Sequence, residues 1–187
     1  MTSKQQNRHI LQILGDLYPD AECELNFSNP FQLLIATILS AQTTDQKVNR
    51  VTAKLFALYP TPALLMAAPL SEVENLLHEI GLFRNKAKNI LAASRILNED
   101  YAGVIPRTME ELMRLPGVGQ KTANVVLANA FQIPTLAVDT HVFRVSNRLG
   151  LADSAKVLEV EEQLKAVVPR KDWIAVHHRL IWHGRRV

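Results

Sequence analysis

Apolar residues recur at intervals of three and four along this chain. In the first segment they are Ile10, Leu11, Ile13, Leu14 and Leu17. That is the spacing of one helical face, and similar stripes follow with little of the alternation that marks a half-buried strand. The pattern predicts an all-α fold. Asn29 before Pro30 reads as a cap and a first-turn proline for a helix over 31–40. The run LLIATIL inside it is apolar on most faces, so this helix is expected to be central. Further helices are predicted over 45–58, 72–80, 86–98, 109–115, 121–130, 140–149, 156–167 and 171–182. Ser71 with Glu74, and Thr108 with Glu111, have the S/T-x-x-E spacing of a capping box. Gly81 and Gly103 stand where helix stops are expected.

The predicted loops are short, no period repeats, and no composition shift marks a boundary. At 187 residues, 48% hydrophobic and 21% charged, the chain is long enough for one domain or two small lobes whose core needs no disulfide. Lys+Arg 21 against Asp+Glu 18 leaves +3, which permits a polyanionic partner without requiring one. Cys23 is the only cysteine, so an internal disulfide and a thiolate metal cluster are both excluded within these residues. The opening segment has no signal-peptide core, and no stretch reaches the ~18 apolar residues of a membrane span. A cytoplasmic protein that does not enter membranes is expected. The last ten residues, HRLIWHGRRV, are dense in cationic groups and read as a helix without its packing partner.

One stretch carries chemistry. Leu115-Pro116-Gly117-Val118-Gly119-Gln120-Lys121-Thr122-Ala123 joins two helical patterns, and its alternate glycines permit a turn too tight for side chains. Such a helix–hairpin–helix exposes the N–H groups of Gly117, Gly119 and the next helix start, a site for a phosphate. It reads backbone and not base sequence. A plain αα-hairpin with a glycine turn is the alternative.

LPGVGQKTANVVL followed by AVDTHVFRVSNRLGL resembles the bacterial endonuclease III family of the helix–hairpin–helix DNA glycosylase superfamily. The likeness runs through nearly the whole chain, including LLIATILSAQTTDQKVN, GLFRNKAKNI and HHRLIWHGR. It implies two helical lobes with a DNA-binding cleft between them: a helical-barrel domain over 22–132, with the hairpin motif at about 108–130, and a second lobe from 1–21 plus 133–187. It also implies base-excision repair of oxidised pyrimidines in duplex DNA. The expected partner is damaged double-stranded DNA, met by a monomer in the bacterial cytoplasm at the nucleoid.

The resemblance places the family's nucleophile on Lys121. An amine attacks only in its neutral form, which desolvation and the positive end of a helix dipole favour. A plain phosphate contact is the competing role for this lysine. The catalytic carboxylate falls on Asp139, which also precedes the helical run THVFRV and suits an N-cap. Asp45 is a further candidate cap. Gln42 and Leu82 occupy the inserting-loop positions, to bond the orphaned base and to fill the gap left by a flipped one. The bland reading of Leu82 is a core leucine. Arg84, Lys86 and Lys88 are expected to hold phosphates or to form a solvated charged face. Gly117, Val118, Gly119 and Thr122 of the hairpin join the expected DNA contacts. His141 is placed either to touch the substrate strand or to pack.

Other residues carry less. His177, His178 and His183 lack the i,i+4 pairing of a helical metal site, so no metal ligand is assigned. Trp173 and Trp182 sit at helical spacing and suit the core. Two features depart from the family. Its [4Fe–4S] cluster is held by four cysteines that would follow Val187, so no cofactor is bindable by the residues present. Gln120 stands where an arginine is common. The reading reached is a glycosylase and AP lyase, with a non-catalytic hairpin module for DNA binding as the alternative. A monofunctional glycosylase for mismatched adenine is disfavoured by Lys121, since those typically lack the lysine.

Overall fold

The structure, a computed structural model, describes residues 3–187, and these form helices and loops with no strand among them. Helix α1 (Ser3–Leu17) opens the chain, and α2 (Pro30–Leu39) to α8 (Gln120–Phe131) follow. By contact the chain divides into two compact units. One comprises the residues up to Cys23 with Gln132–Val187, the other Glu24–Phe131.

In the unit Glu24–Phe131, α2 begins as its sequence predicts: Pro30 occupies the first turn and the Asn29 side chain accepts from Gln32 N at 3.0 Å. Leu33 to Leu39 are all buried, and α2 packs against α3 (Asp45–Leu58), α6 (Phe83–Asp100) and α8. A helix apolar all round is central because every face needs cover. Thr44 takes the N-cap position of α3 without a side-chain capping bond, so Asp45 is the helix's first residue and not its cap.

Two short elements modify the prediction. Thr61 and Pro62 start α4 (Pro62–Met66), with the Thr61 hydroxyl accepting from Leu64 N at 3.3 Å. Five residues are too few to show a period, yet the cap-plus-proline grammar is that of Asn29-Pro30. Helix α5 (Leu70–Leu77) starts at Pro69, whose carbonyl accepts from both Glu72 N and Val73 N. Ser71 is therefore an exposed residue inside the helix and caps nothing. Gly81 likewise ends no helix, since α5 stops at Leu77 and Gly81 lies in the link to α6. Gly103 does end one: at φ +78° its N–H reaches the Leu97 carbonyl at 2.8 Å. Thr108 caps α7 (Met109–Met113), accepting from Glu111 N at 3.3 Å while its hydroxyl donates to Glu111 Oε2 at 2.6 Å.

The other unit holds α1, α9 (Thr140–Leu149), α10 (Val157–Val167), a 3₁₀ turn (Arg170–Asp172) and α11 (Trp173–Arg186). Helix α11 packs on α9 and α1 and runs four residues beyond the predicted end at 182. Leu14, Val142, Val145, Val160, Leu164, Val176 and Leu180 form the core. Trp173 packs against that core and its Nε1 donates to Val168 O. Trp182 is half-buried, donating to Glu22 O at 3.1 Å under the Arg186 guanidinium 4.0 Å from its ring.

His177 and His178 are buried side by side, ring centroids 5.0 Å apart. His177 Nδ1 lies 2.9 Å from the Ala137 carbonyl oxygen. Burial, then the neighbouring His177 and Arg185, push His178 down from 6.5 to about 3. The fold thus holds His178 neutral, while an unfolded chain protonates it below pH 6.5. Stability is expected to be fully present above that pH and to fall as pH drops toward 3. Melting temperatures between pH 7.5 and 4 should decline for the wild type and less steeply for His178→Phe.

Candidate functional site

Residues 114–119 turn the chain between α7 and α8. Gly117 has φ +80°, and a Cβ there would lie 3.0 Å from Ile38 Cγ2 and 3.1 Å from Asn89 Nδ2. The backbone conformation favours glycine and the space is tight, with the turn seated against α2 and α6. Gly119 differs, since a Cβ there would enter open space. The N–H groups of Gly117 and Gly119 meet no acceptor among the described residues. With the N–H groups at the start of α8, which no intrahelical carbonyl can reach, they form a row of open backbone donors of the kind that suits an anion.

Val118 corrects the expectation of a contact from every hairpin residue. Its side chain is buried and its N–H is taken by Leu115 O at 3.1 Å, so it packs the turn from inside. Lys121, second residue of α8, is exposed, and Thr122 is half-buried beside it. A flexible amine thus stands next to backbone donors.

Asp139 belongs to the other unit, at the start of α9. Its Oδ1 accepts from Val142 N at 2.8 Å, the N-cap geometry expected of it. The second carboxylate oxygen meets no partner among the described residues, so the cap fixes the group and leaves one oxygen for other chemistry. Half-buried His141 packs on α11, because a Cβ at Gly184 would lie 3.0 Å from its Cβ and Nδ1. Arg144 Nη2 donates to Gly184 O at 2.7 Å and fastens the same contact.

Two exposed loops carry residues in the left-handed region. Gln42, between α2 and α3, has φ +53°, and Leu82, before α6, has φ +57°. For a residue with a Cβ this costs about 1–2 kcal/mol, so the conformation persists only where surroundings impose it. Leu82 is 60% exposed, which removes the core reading. Arg84 is exposed beside the Phe83 ring at 5.1 Å, and Lys88 is exposed one turn on.

Lys86 reverses its prediction. It is 4% exposed, and its Nζ donates to Ala41 O at 2.7 Å and Thr43 Oγ1 at 2.8 Å. An ammonium so placed cannot serve as a surface phosphate contact, and burial lowers its pKa below the ordinary lysine range. The sequence carried a signal for this. Lys86, Ala87, Ile90, Ala93 and Leu97 share the inward stripe of α6, whereas Arg84 and Lys88 do not.

Residues 35–170 match the HhH-GPD superfamily of base excision DNA repair proteins. Over 186 residues the chain is 53% identical to endonuclease III of Bacillus subtilis (strain 168), covering 99% of this chain and 85% of that one. The chain belongs to the endonuclease III family. Among solved structures it is similar to an endonuclease III in non-covalent complex with DNA, with a TM-score of 0.94 and 52% identity over 100% of this chain and 87% of that one. It is similar also to a trapped covalent endonuclease III–DNA intermediate, with a TM-score of 0.93 and 52% identity over 99% and 87% of the two chains. The endonuclease III family carries a [4Fe–4S] cluster, and the residues of this chain do not fit one. Cys23 is the sole cysteine, and no group of three or more His, Cys, Asp or Glu among the described residues is placed to hold a metal ion.

Proposed function

We propose that this member of the endonuclease III family is a bifunctional DNA glycosylase and AP lyase that removes oxidised pyrimidines from duplex DNA, with Lys121 as nucleophile and Asp139 as its electrostatic partner. The observation that carries the reading is an exposed amine at the second position of the helix behind a glycine turn, in a chain about half identical to an endonuclease III that has been trapped covalently on DNA.

The turn supplies Gly117 and Gly119 N–H groups to a backbone phosphate, and Arg84 and Lys88 supply cations along the strand. Gln42 bonds the base left without a partner, and Leu82 fills the space vacated by the flipped nucleotide. The neutral Lys121 amine attacks the sugar C1′, and the bond from C1′ to the base breaks, the base leaving with the electron pair and taking up a proton. Opening of the sugar ring converts the adduct to a Schiff base. Loss of a C2′ proton then expels the 3′ phosphate, cutting the strand, and water releases the lysine. The chain leaves Lys121 exposed, so the DNA that covers it supplies the desolvation. Asp139 stabilises the positive charge that develops at C1′. The protein acts as a monomer on chromosomal DNA in the cytoplasm.

Borohydride reduction with duplexes carrying thymine glycol or an abasic site tests this reading. A covalent adduct is expected from the wild type, and its absence from a folded, DNA-binding protein would leave a binding module instead. Asp139→Asn separates cap from charge, because asparagine caps as well as aspartate. Its melting temperature should stay close to wild type while base release slows by about 10²-fold.

A further inference from the structure

Gln42 and Leu82 are exposed, have side chains, and sit in the left-handed region, so neither loop is held by its own backbone preference. Lys86 bonds to both loops. Lys86 N donates to Leu82 O at 3.0 Å, closing the first turn of α6 on the Leu82 loop. Its side chain runs inward, and Nζ donates to Ala41 O and Thr43 Oγ1, the neighbours of Gln42 on either side. Thr43 in turn bonds back across the bend, its N to Ser40 O at 3.1 Å and its hydroxyl to Ala41 O at 3.3 Å. The loop also leaves the C-terminal end of α2, whose dipole presents partial negative charge to the ammonium. Among the described residues Lys86 forms no ion pair.

A buried, unpaired ammonium is costly to retain, and a Met or Leu on the α6 stripe would satisfy packing alone. What a methionine cannot do is donate hydrogen bonds to both sides of Gln42. We propose that Lys86 is a positioning residue of the endonuclease, holding the 41–43 loop so that Gln42 and Leu82 enter the duplex together. This rests on the reading that Gln42 meets the orphaned base.

The role predicts a signature that general destabilisation does not. An orphaned base exists only in a duplex, so loss of the tether should act on duplex substrate more than on a single strand with the same abasic site. Strand-cleavage rates on both substrates are compared for wild type, Lys86→Met, Gln42→Ala and the double variant, with Thr43→Val as a milder break of the tether. Lys86→Met and Gln42→Ala should each lower the duplex-to-single-strand rate ratio by roughly tenfold. Thr43→Val should lower it less, and the double variant should be no worse than the singles, as for residues acting through one contact. An unchanged ratio in Lys86→Met and Thr43→Val, with Gln42→Ala impaired, would overturn the assignment to Lys86 alone. If Gln42→Ala leaves the ratio unchanged, or the wild type cleaves neither substrate, the reading on which it rests falls as well.

Discussion

Replacing Lys121 by alanine is expected to abolish the borohydride-trapped adduct and to slow strand cleavage by at least about a thousandfold. The amine is the only atom set at that position able to form an imine, and removing a covalent nucleophile typically costs most of the chemical step. The side chain is exposed, so its truncation should change stability by no more than about 0.5 kcal/mol. Binding to an abasic-site analogue should weaken only modestly, because the Gly117 and Gly119 N–H groups remain. If Lys121 were merely a phosphate contact, the variant would still cut DNA, and the slope of log K against log salt would shrink by about one. Trapping, cleavage rate and salt titration on one preparation therefore separate the two roles.

Gly117→Val is expected to have the largest structural effect of any single change in the hairpin. A β-branched residue at φ +80° costs about 1–2 kcal/mol in the backbone. Its Cβ would also press on Ile38 and Asn89 at 3.0–3.1 Å, and overpacking adds about 1–3 kcal/mol. Urea denaturation should show a loss of about 2–5 kcal/mol, with DNA binding lost as the turn leaves its seat on α2 and α6. Gly119→Ala is the informative contrast. Its φ is ordinary and its Cβ would meet nothing, so the fold should be retained. The added methyl would stand on the surface a phosphate approaches, and affinity for duplex DNA should fall without loss of stability. Equal stability losses in the two variants would contradict this account of the turn.

Helix starts at Asn29, Thr108 and Asp139 were legible because a cap and its donor lie within three residues, so local chemistry decides them. The same logic misled at Ser71, where the fixed φ of Pro69 starts α5 two residues earlier and leaves the serine no orphan donor. Helix α4 escaped the periodicity because a single turn has no period, although Thr61-Pro62 repeats the signal that worked at Asn29-Pro30. The hairpin's glycines were visible, but which one is left-handed and crowded was not: the crowding comes from Ile38 and Asn89, which arrive from distant helices. Lys86 shows the same limit more sharply. Its charge suggested solvent, its position on the α6 stripe pointed inward, and its acceptors lie more than forty positions away. Leu82 misleads in the opposite sense, an apolar residue turned to solvent by its backbone.

The hydrogen bond between Tyr18 and His183 at 3.1 Å joins residues 165 positions apart, whereas the unit Glu24–Phe131 is drawn from one uninterrupted stretch. On the ribosome these two arrangements mature at different times. Once Phe131 has cleared the exit tunnel, every residue of the hairpin unit is present and its helices can settle while translation continues. Helix α1, made before them, must wait with its apolar stripe uncovered until α9 and α11 emerge, a delay of seconds at about 5–20 residues per second. The glycine turn and Lys121 are therefore complete before Asp139 has a folded unit around it. On the proposed roles, a nascent chain stalled in this interval would present its hairpin to DNA without the carboxylate partner in place, with the apolar stripe of α1 still uncovered.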